Sequence, residues 1–237
     1  LVAGLPGENY DGFLASLQAL ADLEPHEIQI EPLKVLKGSP MREIAARENY
    51  HFSSFPPYTI LRNPWLCFED ICRIETIGRL LDLFQKHGGL SAAFSVLLQN
   101  QPLAAIFDKM ARAVGTETLS GFSRRRGYEL FARLAGALVA ENRLEYLHDA
   151  LFFDYCRSEM PLMGKLPSFA AARQSNCSWP GPGDLPAGLN MPAGSRIKAF
   201  RFTFMRDYRT EPWENDPVII TFVYVSGAGR GLNVLMI

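Results

Sequence analysis

The chain has 237 residues, a formal net charge of −1, and 48% hydrophobic against 21% charged residues. That is an ordinary globular mixture, long enough for one large core or two small ones, and its near-neutral balance gives no general electrostatic case for nucleic acid or membrane surfaces. No apolar run approaches the ~18 residues of a membrane span, and no basic flank with a long apolar core opens the sequence as a signal peptide would.

The first apolar run, Leu1-Val2-Ala3, meets the turn Gly4-Leu5-Pro6-Gly7-Glu8. Asn9 is a fair N-cap for a helix over residues 9–23, and Glu8 lies near its positive end. Phe13, Leu14, Leu17, Leu20 and Ala21 repeat at helical spacing, and Pro25 ends the element. A second apolar run, Ile28 to Val35, stops at Gly38-Ser39-Pro40, and Pro32 within it argues for an edge or a bulge. Strand, helix, strand makes one βαβ unit with parallel strands and a right-handed crossover. Two strands do not close a parallel sheet, which needs cover on both faces, so the unit reads as a cut edge of something larger. Leu1 in place of a start methionine agrees with a fragment or a processed chain. The unpaired edges predict self-association through residues 1–36, or poor order of that region.

Met41 to Glu48 reads as a short polar helix. Residues 49–66, with Tyr50, Phe52, Phe55, Pro56, Pro57, Tyr58, Pro64 and Trp65, read as an ordered irregular loop, because so much aromatic area does not float. From Phe68 the pattern is helical. Ile71, Ile74, Ile77, Leu81 and Phe84 mark one helix ending at Gly88-Gly89, and residues 90–99 and 102–114 give two more. Phe122 to Ala140 carries Leu130, Leu134, Ala137 and Leu138, and Arg143 to Arg157 carries Leu144, Leu147, Leu151 and Phe152. Each apolar stripe needs a neighbour, so these helices predict a bundle-like layer.

Residues 178–195 hold four prolines and four glycines, which exclude regular structure. Trp179, Leu185, Leu189 and Met191 predict that this stretch packs over the helices, with Trp179 as its anchor. Afterwards the period becomes two: Phe200, Phe202 and Phe204, then Val218, Ile220, Phe222 and Tyr224, then 232–237. These strands predict a small antiparallel sheet packed on the helices. The fold class is α+β, mostly helical.

Few residues advertise chemistry. The four cysteines, Cys67, Cys72, Cys156 and Cys177, form no C-x-x-C pair, and reduced thiols in a cytoplasmic protein are expected. Five residues along a helix turn the chain by about 500°, so Cys67 and Cys72 read as half-buried thiols rather than a metal pair. His26, His51, His87 and His148 show no metal-ligand spacing. Arg124-Arg125-Arg126 reads as a solvated helix start, and the G-x-G-x-G within Ser226 to Gly231 as a hairpin turn. Asp149 and Asp154, near Tyr155, receive no catalytic role. The Gly4–Glu8 turn can present backbone N–H groups at a helix N-terminus, although it matches neither a P-loop nor G-x-G-x-x-G.

Two motifs together carry a resemblance. Leu-Val-Ala-Gly-Leu-Pro-Gly-Glu at 1–8 resembles the fifth-strand motif of radical S-adenosylmethionine enzymes. Leu33-Lys34-Val35-Leu36-Lys37-Gly38-Ser39-Pro40-Met41 is similar to the sixth-strand segment L-x-x-L-x-G-T-P-M/L of that superfamily. Pro56-Pro57-Tyr58, Trp65-Leu66 and Phe68-Glu69-Asp70 resemble the cobalamin-binding subgroup, whose members carry a C-terminal domain of unknown function after the barrel. The resemblance implies that residues 1–50 are the last piece of a partial TIM-type barrel and 51–237 an accessory helical domain with C-terminal strands. It implies that Gly4, Leu5, Pro6, Gly7 and Glu8 lie beside S-adenosylmethionine, with Val35 and Leu36 near its adenine. It also implies a 4Fe-4S cluster and cobalamin in the parent protein, an iron–sulfur oxidoreductase or methyltransferase-like enzyme.

The chain holds no C-x-x-x-C-x-x-C loop, no Gly-Gly-Glu segment after a second strand and no cobalamin motif. A cluster needs thiolates placed together, so no metal site and no catalysis by the chain alone are expected. The implied partner is the rest of the parent barrel, with an unknown substrate. The other reading is a binding or scaffolding module that covers an active site or holds a partner.

Overall fold

The computed structural model describes residues 1–86, 89–115, 117–162, 165–176, 196–210, 213, 216–227 and 230–237. The stretch 178–195, with the expected Trp179 anchor, lies outside the described residues, as do Cys177 and His87. The chain divides into two compact units, Leu1–Lys86 with Asn100–Gly121, and His87–Gln99 with Phe122–Ile237. The boundary expected after residue 50 falls inside the first unit. The architecture is α+β and mostly helical.

In the first unit, β1 (Val2–Ala3) pairs in parallel with β2 (Glu31–Pro32), with α1 (Tyr10–Ala21) between them in sequence. Asn9 caps α1 by accepting a hydrogen bond from the Gly12 N–H at 2.8 Å. Phe13 and Leu17 are its fully buried residues, a narrower face than the five-residue stripe expected. The expected long second strand is replaced by a short one that continues as an irregular extended segment. Leu33 N–H reaches Ala3 O, after which Ile60 N–H donates to Leu33 O and Val35 N–H to Tyr58 O. The change of partner follows the other strand, because the φ of 91° at Gly4 turns the chain away after Ala3.

α2 (Met41–Arg47) follows, and the supposedly irregular stretch 49–66 contains a two-stranded antiparallel sheet, β3 (His51–Phe52) with β4 (Ile60–Arg62). Residues 58–60 therefore cover one of the two edges expected to be free. α3 (Phe68–Lys86) opens with the Asp70 carboxylate accepting from the Cys67 N–H at 3.1 Å, half of a capping box. Its stripe Ile71, Ile74, Ile77, Leu81 and Phe84 is buried throughout, against α5 (Leu103–Val114), β2 and β4.

The second unit is built round α7 (Glu141–Ser158). Every residue from Asp149 to Cys156 is buried, so this helix has no solvent face over those two turns. α4 (Ser91–Leu98) and α6 (Arg124–Gly136) pack on it, as does a 3-10 helix over Ser168–Asn176. The antiparallel sheet β5 (Arg196–Phe204), β6 (Val218–Gly227), β7 (Arg230–Met236) supplies the aromatic layer. Phe152 meets Phe202 edge-on at 4.8 Å between ring centroids, and Phe153 meets Phe204 at 5.7 Å and Phe222 at 6.0 Å. Gly227 pairs with Arg230, so the glycine-rich stretch joins two antiparallel strands as expected. Among the described residues no helix is long and apolar enough to cross a membrane.

Candidate functional site at the ends of the parallel strands

The parallel pairing puts the carboxyl ends of β1 and of the 31–35 segment side by side, and the Gly4–Glu8 turn leaves from the first of them. Glu8 N–H closes on Leu5 O at 3.2 Å, with Pro6 and Gly7 (φ 87°) as the two central residues. That is type II turn geometry, in which proline presets the first position and glycine supplies the left-handed second one. The Gly4 N–H donates to the Glu8 carboxylate at 3.1 Å. An internal carboxylate thus takes a place that the sequence offered to an external anion. Leu5, Pro6 and Gly7 face outward, and Gly7 has open space where a side chain would be.

Gly4 is tightly enclosed. Its φ is 91°, and a Cβ there would lie 2.1 Å from Ile60 Cδ1. Its carbonyl, turned out of the β1 ladder, accepts from the Tyr50 hydroxyl at 3.1 Å and from Asn63 Nδ2 at 3.2 Å. Asn63 is held in turn, because its Oδ1 accepts from Trp65 N–H at 2.9 Å and Leu66 N–H at 2.8 Å. The Tyr50 ring meets Trp65 edge-on at 6.3 Å. Burial pushes the Tyr50 phenol above its usual range, so it is a donor at neutral pH. Nothing in the local sequence of Tyr50 or Asn63 marks them; both reach Gly4 only through the β3–β4 sheet.

The two residues expected beside adenine differ. Val35 is wholly buried and its N–H is committed to Tyr58 O, so neither its side chain nor its amide is open to a ligand. Leu36 is 51% exposed and Leu5 45%, an apolar pair of exposed side chains at the strand ends. Nearby, Arg42 lies over the rings of Phe52 and Tyr58, at 5.2 Å from each centroid, and Lys37 lies over Tyr58 at 5.6 Å.

The remaining candidates resolve into structural roles. Cys67 and Cys72 are exposed free thiols rather than half-buried ones, and Cys67 Sγ donates to Asp70. Among the described residues no group of three His, Cys, Asp or Glu side chains could hold a metal ion. The three arginines part company: Arg124 donates to Ser158 O, Arg125 to Leu166 O, and Arg126 lies over the Phe122 ring. Asp154 is fully buried and accepts from Ala92 and Ala93 N–H, capping α4 from another helix. Asp149, equally buried, accepts from Arg173 and from the Met205 N–H at 2.9 Å. Beside it a cavity of about 640 Å³ is lined by His148, Phe169, Arg173 and Phe204 among others. Burial and the Arg173 charge hold His148 below its ordinary pKa.

A family described as "Protein of unknown function (DUF4080)" matches residues 48–178. No curated protein and no solved structure matches the chain. The matched segment runs from just before Tyr50 through α7 and covers more than half of the sequence, and so the chain belongs to the DUF4080 family of proteins of unknown function.

Proposed function

We propose that this chain is the C-terminal portion of a cobalamin-binding radical S-adenosylmethionine enzyme, holding its last two barrel strands and the domain that follows them. The observation that carries the reading is the parallel β1–β2 pair with the two motifs, Gly4–Glu8 and Leu33–Met41, at the carboxyl ends of its strands. In parallel barrels that end is where ligands bind. The order of segments supports it further: a domain of unknown function is expected after the barrel, and the DUF4080 segment starts at residue 48, shortly after Met41.

The residues at the strand ends fit one wall of an S-adenosylmethionine site. Leu5 and Leu36 offer exposed apolar surface for an adenosyl group, and Gly7 leaves room beside the turn. Radical S-adenosylmethionine enzymes, which the two motifs resemble, use S-adenosylmethionine as their source of radical chemistry. For the cluster the fit fails on this chain: Cys67 and Cys72 point to no shared centre with a third ligand among the described residues. The cluster and the cobalamin belong, on this reading, to the preceding part of the parent protein.

Sequencing the parent gene is the decisive experiment. A C-x-x-x-C-x-x-C loop upstream of Leu1 is expected, and its absence would remove the reading. Titration of the chain with S-adenosylmethionine is expected to give weak binding, since most walls of such a site lie elsewhere.

One observation favours a second reading for the second unit alone. The two buried carboxylates among its described residues, Asp149 and Asp154, are spent on an arginine and on backbone amides. That unit is read as a binding or covering module in the parent enzyme rather than as a source of catalytic groups.

A further inference from the structure

We infer that Tyr50 and Asn63 are positioning residues that lock the Gly4–Leu5 peptide plane and thereby aim the Leu5 N–H as a ligand donor; this rests on the reading of the Gly4–Glu8 turn as a ligand contact. The carbonyl of Gly4 and the amide of Leu5 belong to one planar trans peptide, in which C=O and N–H point in opposite directions. Fixing the oxygen fixes the hydrogen.

Three side chains do the fixing. In β1 the carbonyls of Leu1 and Ala3 accept from Glu31 and Leu33 N–H, as a parallel ladder requires. At Gly4 the φ of 91° swings the chain out of that ladder. Its carbonyl is left without a strand partner and would be a costly orphan at a partly buried site. The Tyr50 hydroxyl and Asn63 Nδ2 both donate to it. Ile60, wholly buried, fills the space against the Gly4 Cα. The Leu5 N–H is therefore directed away from Tyr50 and Asn63, on a residue that is itself 45% exposed. The amides of Gly4 and Glu8 are already used within the turn, and Pro6 has none.

The positions matter as much as the contacts. Tyr50, Ile60 and Asn63 all fall in the DUF4080 segment, whereas the turn precedes it. That segment thus acts as a back wall for the turn, and its start is tied to ligand recognition rather than being a separate appendage.

Two isosteric changes in the full chain test this. Tyr50→Phe keeps the ring against Trp65 and removes one donor. Asn63→Asp keeps the acceptor for Trp65 and Leu66 N–H and removes the other. Tyr10→Phe, which removes a hydroxyl bond to Asp108 in the same unit, is the control. Amide hydrogen exchange at Gly4 and Glu8, whose N–H groups are bonded within the turn, is expected to quicken about fivefold in each single variant and about 25-fold in the double variant, one typical hydrogen bond at a time. Exchange within α3 should change less than twofold, and Tyr10→Phe should leave the turn unaffected. Weakened S-adenosylmethionine binding in the double variant, read by calorimetry, would accompany the loosened turn. Unchanged exchange at Gly4 and Glu8 in the double variant, or a rise shared equally by α3, overturns the positioning role. A loosened turn in a chain that binds no S-adenosylmethionine even as wild type supports the positioning role and counts against the ligand reading alone.

Discussion

The Asp154 carboxylate caps a helix to which it does not belong: it accepts from the Ala93 N–H at 2.9 Å, with Ala92 N–H donating to its other oxygen at 3.3 Å. α4 has Leu90 before its first turn and no side-chain cap of its own, so α7 supplies the acceptor its orphan amides need. Burial dominates and pushes the Asp154 carboxyl up to about 7, against the opposing pull of those amides and of Arg157.

A folded pKa raised above the unfolded value has a definite sign. Between the ordinary carboxylate pKa of about 4 and about 7, the folded chain holds a proton that the unfolded chain has released. The stability from that proton is complete below about pH 4 and is lost as the pH rises through about 7. Asp154→Asn keeps one acceptor for α4 and cannot ionise. Denaturant unfolding at a series of pH values should show the difference in stability, wild type minus variant, falling from pH 4 to 7. A difference that stays flat or rises over that window would show that Asp154 is ionised throughout.

Arg173 holds the other buried carboxylate. Asp149 is fully buried, Arg173 has a side-chain exposure of 20%, and its guanidinium also lies over Phe152 at 5.2 Å. Removing one partner of a buried pair leaves an uncompensated charge, which costs about 3–5 kcal/mol. Arg173→Ala should therefore destabilise the chain severely. Arg209→Ala, which breaks the more exposed pair with Asp207, should cost less than about 1 kcal/mol. Replacing both members, Asp149→Asn with Arg173→Met, should recover much of the loss. Equal midpoints for Arg173→Ala and Arg209→Ala in denaturant would show that Asp149 finds another partner.

Phe153 is the key of the aromatic layer, wholly buried and in ring contact with Phe204, Tyr208 and Phe222. Phe153→Ala should cost about 3–5 kcal/mol, through lost transfer energy and the cavity it leaves. Phe153→Leu, which keeps most of the volume, should cost less than half as much. Hydrogen exchange of β5 and β6 amides reads the effect where the ring sits, and a loss below about 1 kcal/mol would mean the layer re-closes over the gap.

The helices were legible because their stripes and caps are local. The α3 run from Ile71 to Phe84 is buried as its spacing requires, and Asn9 caps α1. The terminal strands were legible because Phe200, Phe202 and Phe204 alternate. What could not be read depends on contacts between distant segments. The β3–β4 sheet has strands of two and three residues, too short for any period to register, and it is completed by Leu33. In the candidate site the glycines and proline of the turn were visible. Tyr50 and Asn63, which stand 46 and 59 residues from Gly4, were not. Nor could a helix with consecutive Phe152 and Phe153 be recognised as central, since a single amphipathic face was assumed for it.

Gly4→Ala is the sharpest test of the turn, because two separate effects oppose the new methyl. A non-glycine residue at φ 91° is strained, typically by about 1–3 kcal/mol. The added Cβ also meets Ile60 Cδ1 at 2.1 Å, and Ile60 is wholly buried, so its methyl has no solvent to swing into. Together they should cost about 2–4 kcal/mol, overpacking and strain adding. The two are separable. Ile60→Val removes the Cδ1 atom at a cost of about 0.5–1.5 kcal/mol by itself. In Gly4→Ala with Ile60→Val the clash disappears while the backbone strain persists, so the double variant should be more stable than the sum of the single losses by at least about 1 kcal/mol. Strict additivity in denaturant unfolding would mean that the Ile60 side chain already moves aside in Gly4→Ala, and that the backbone alone makes glycine necessary there.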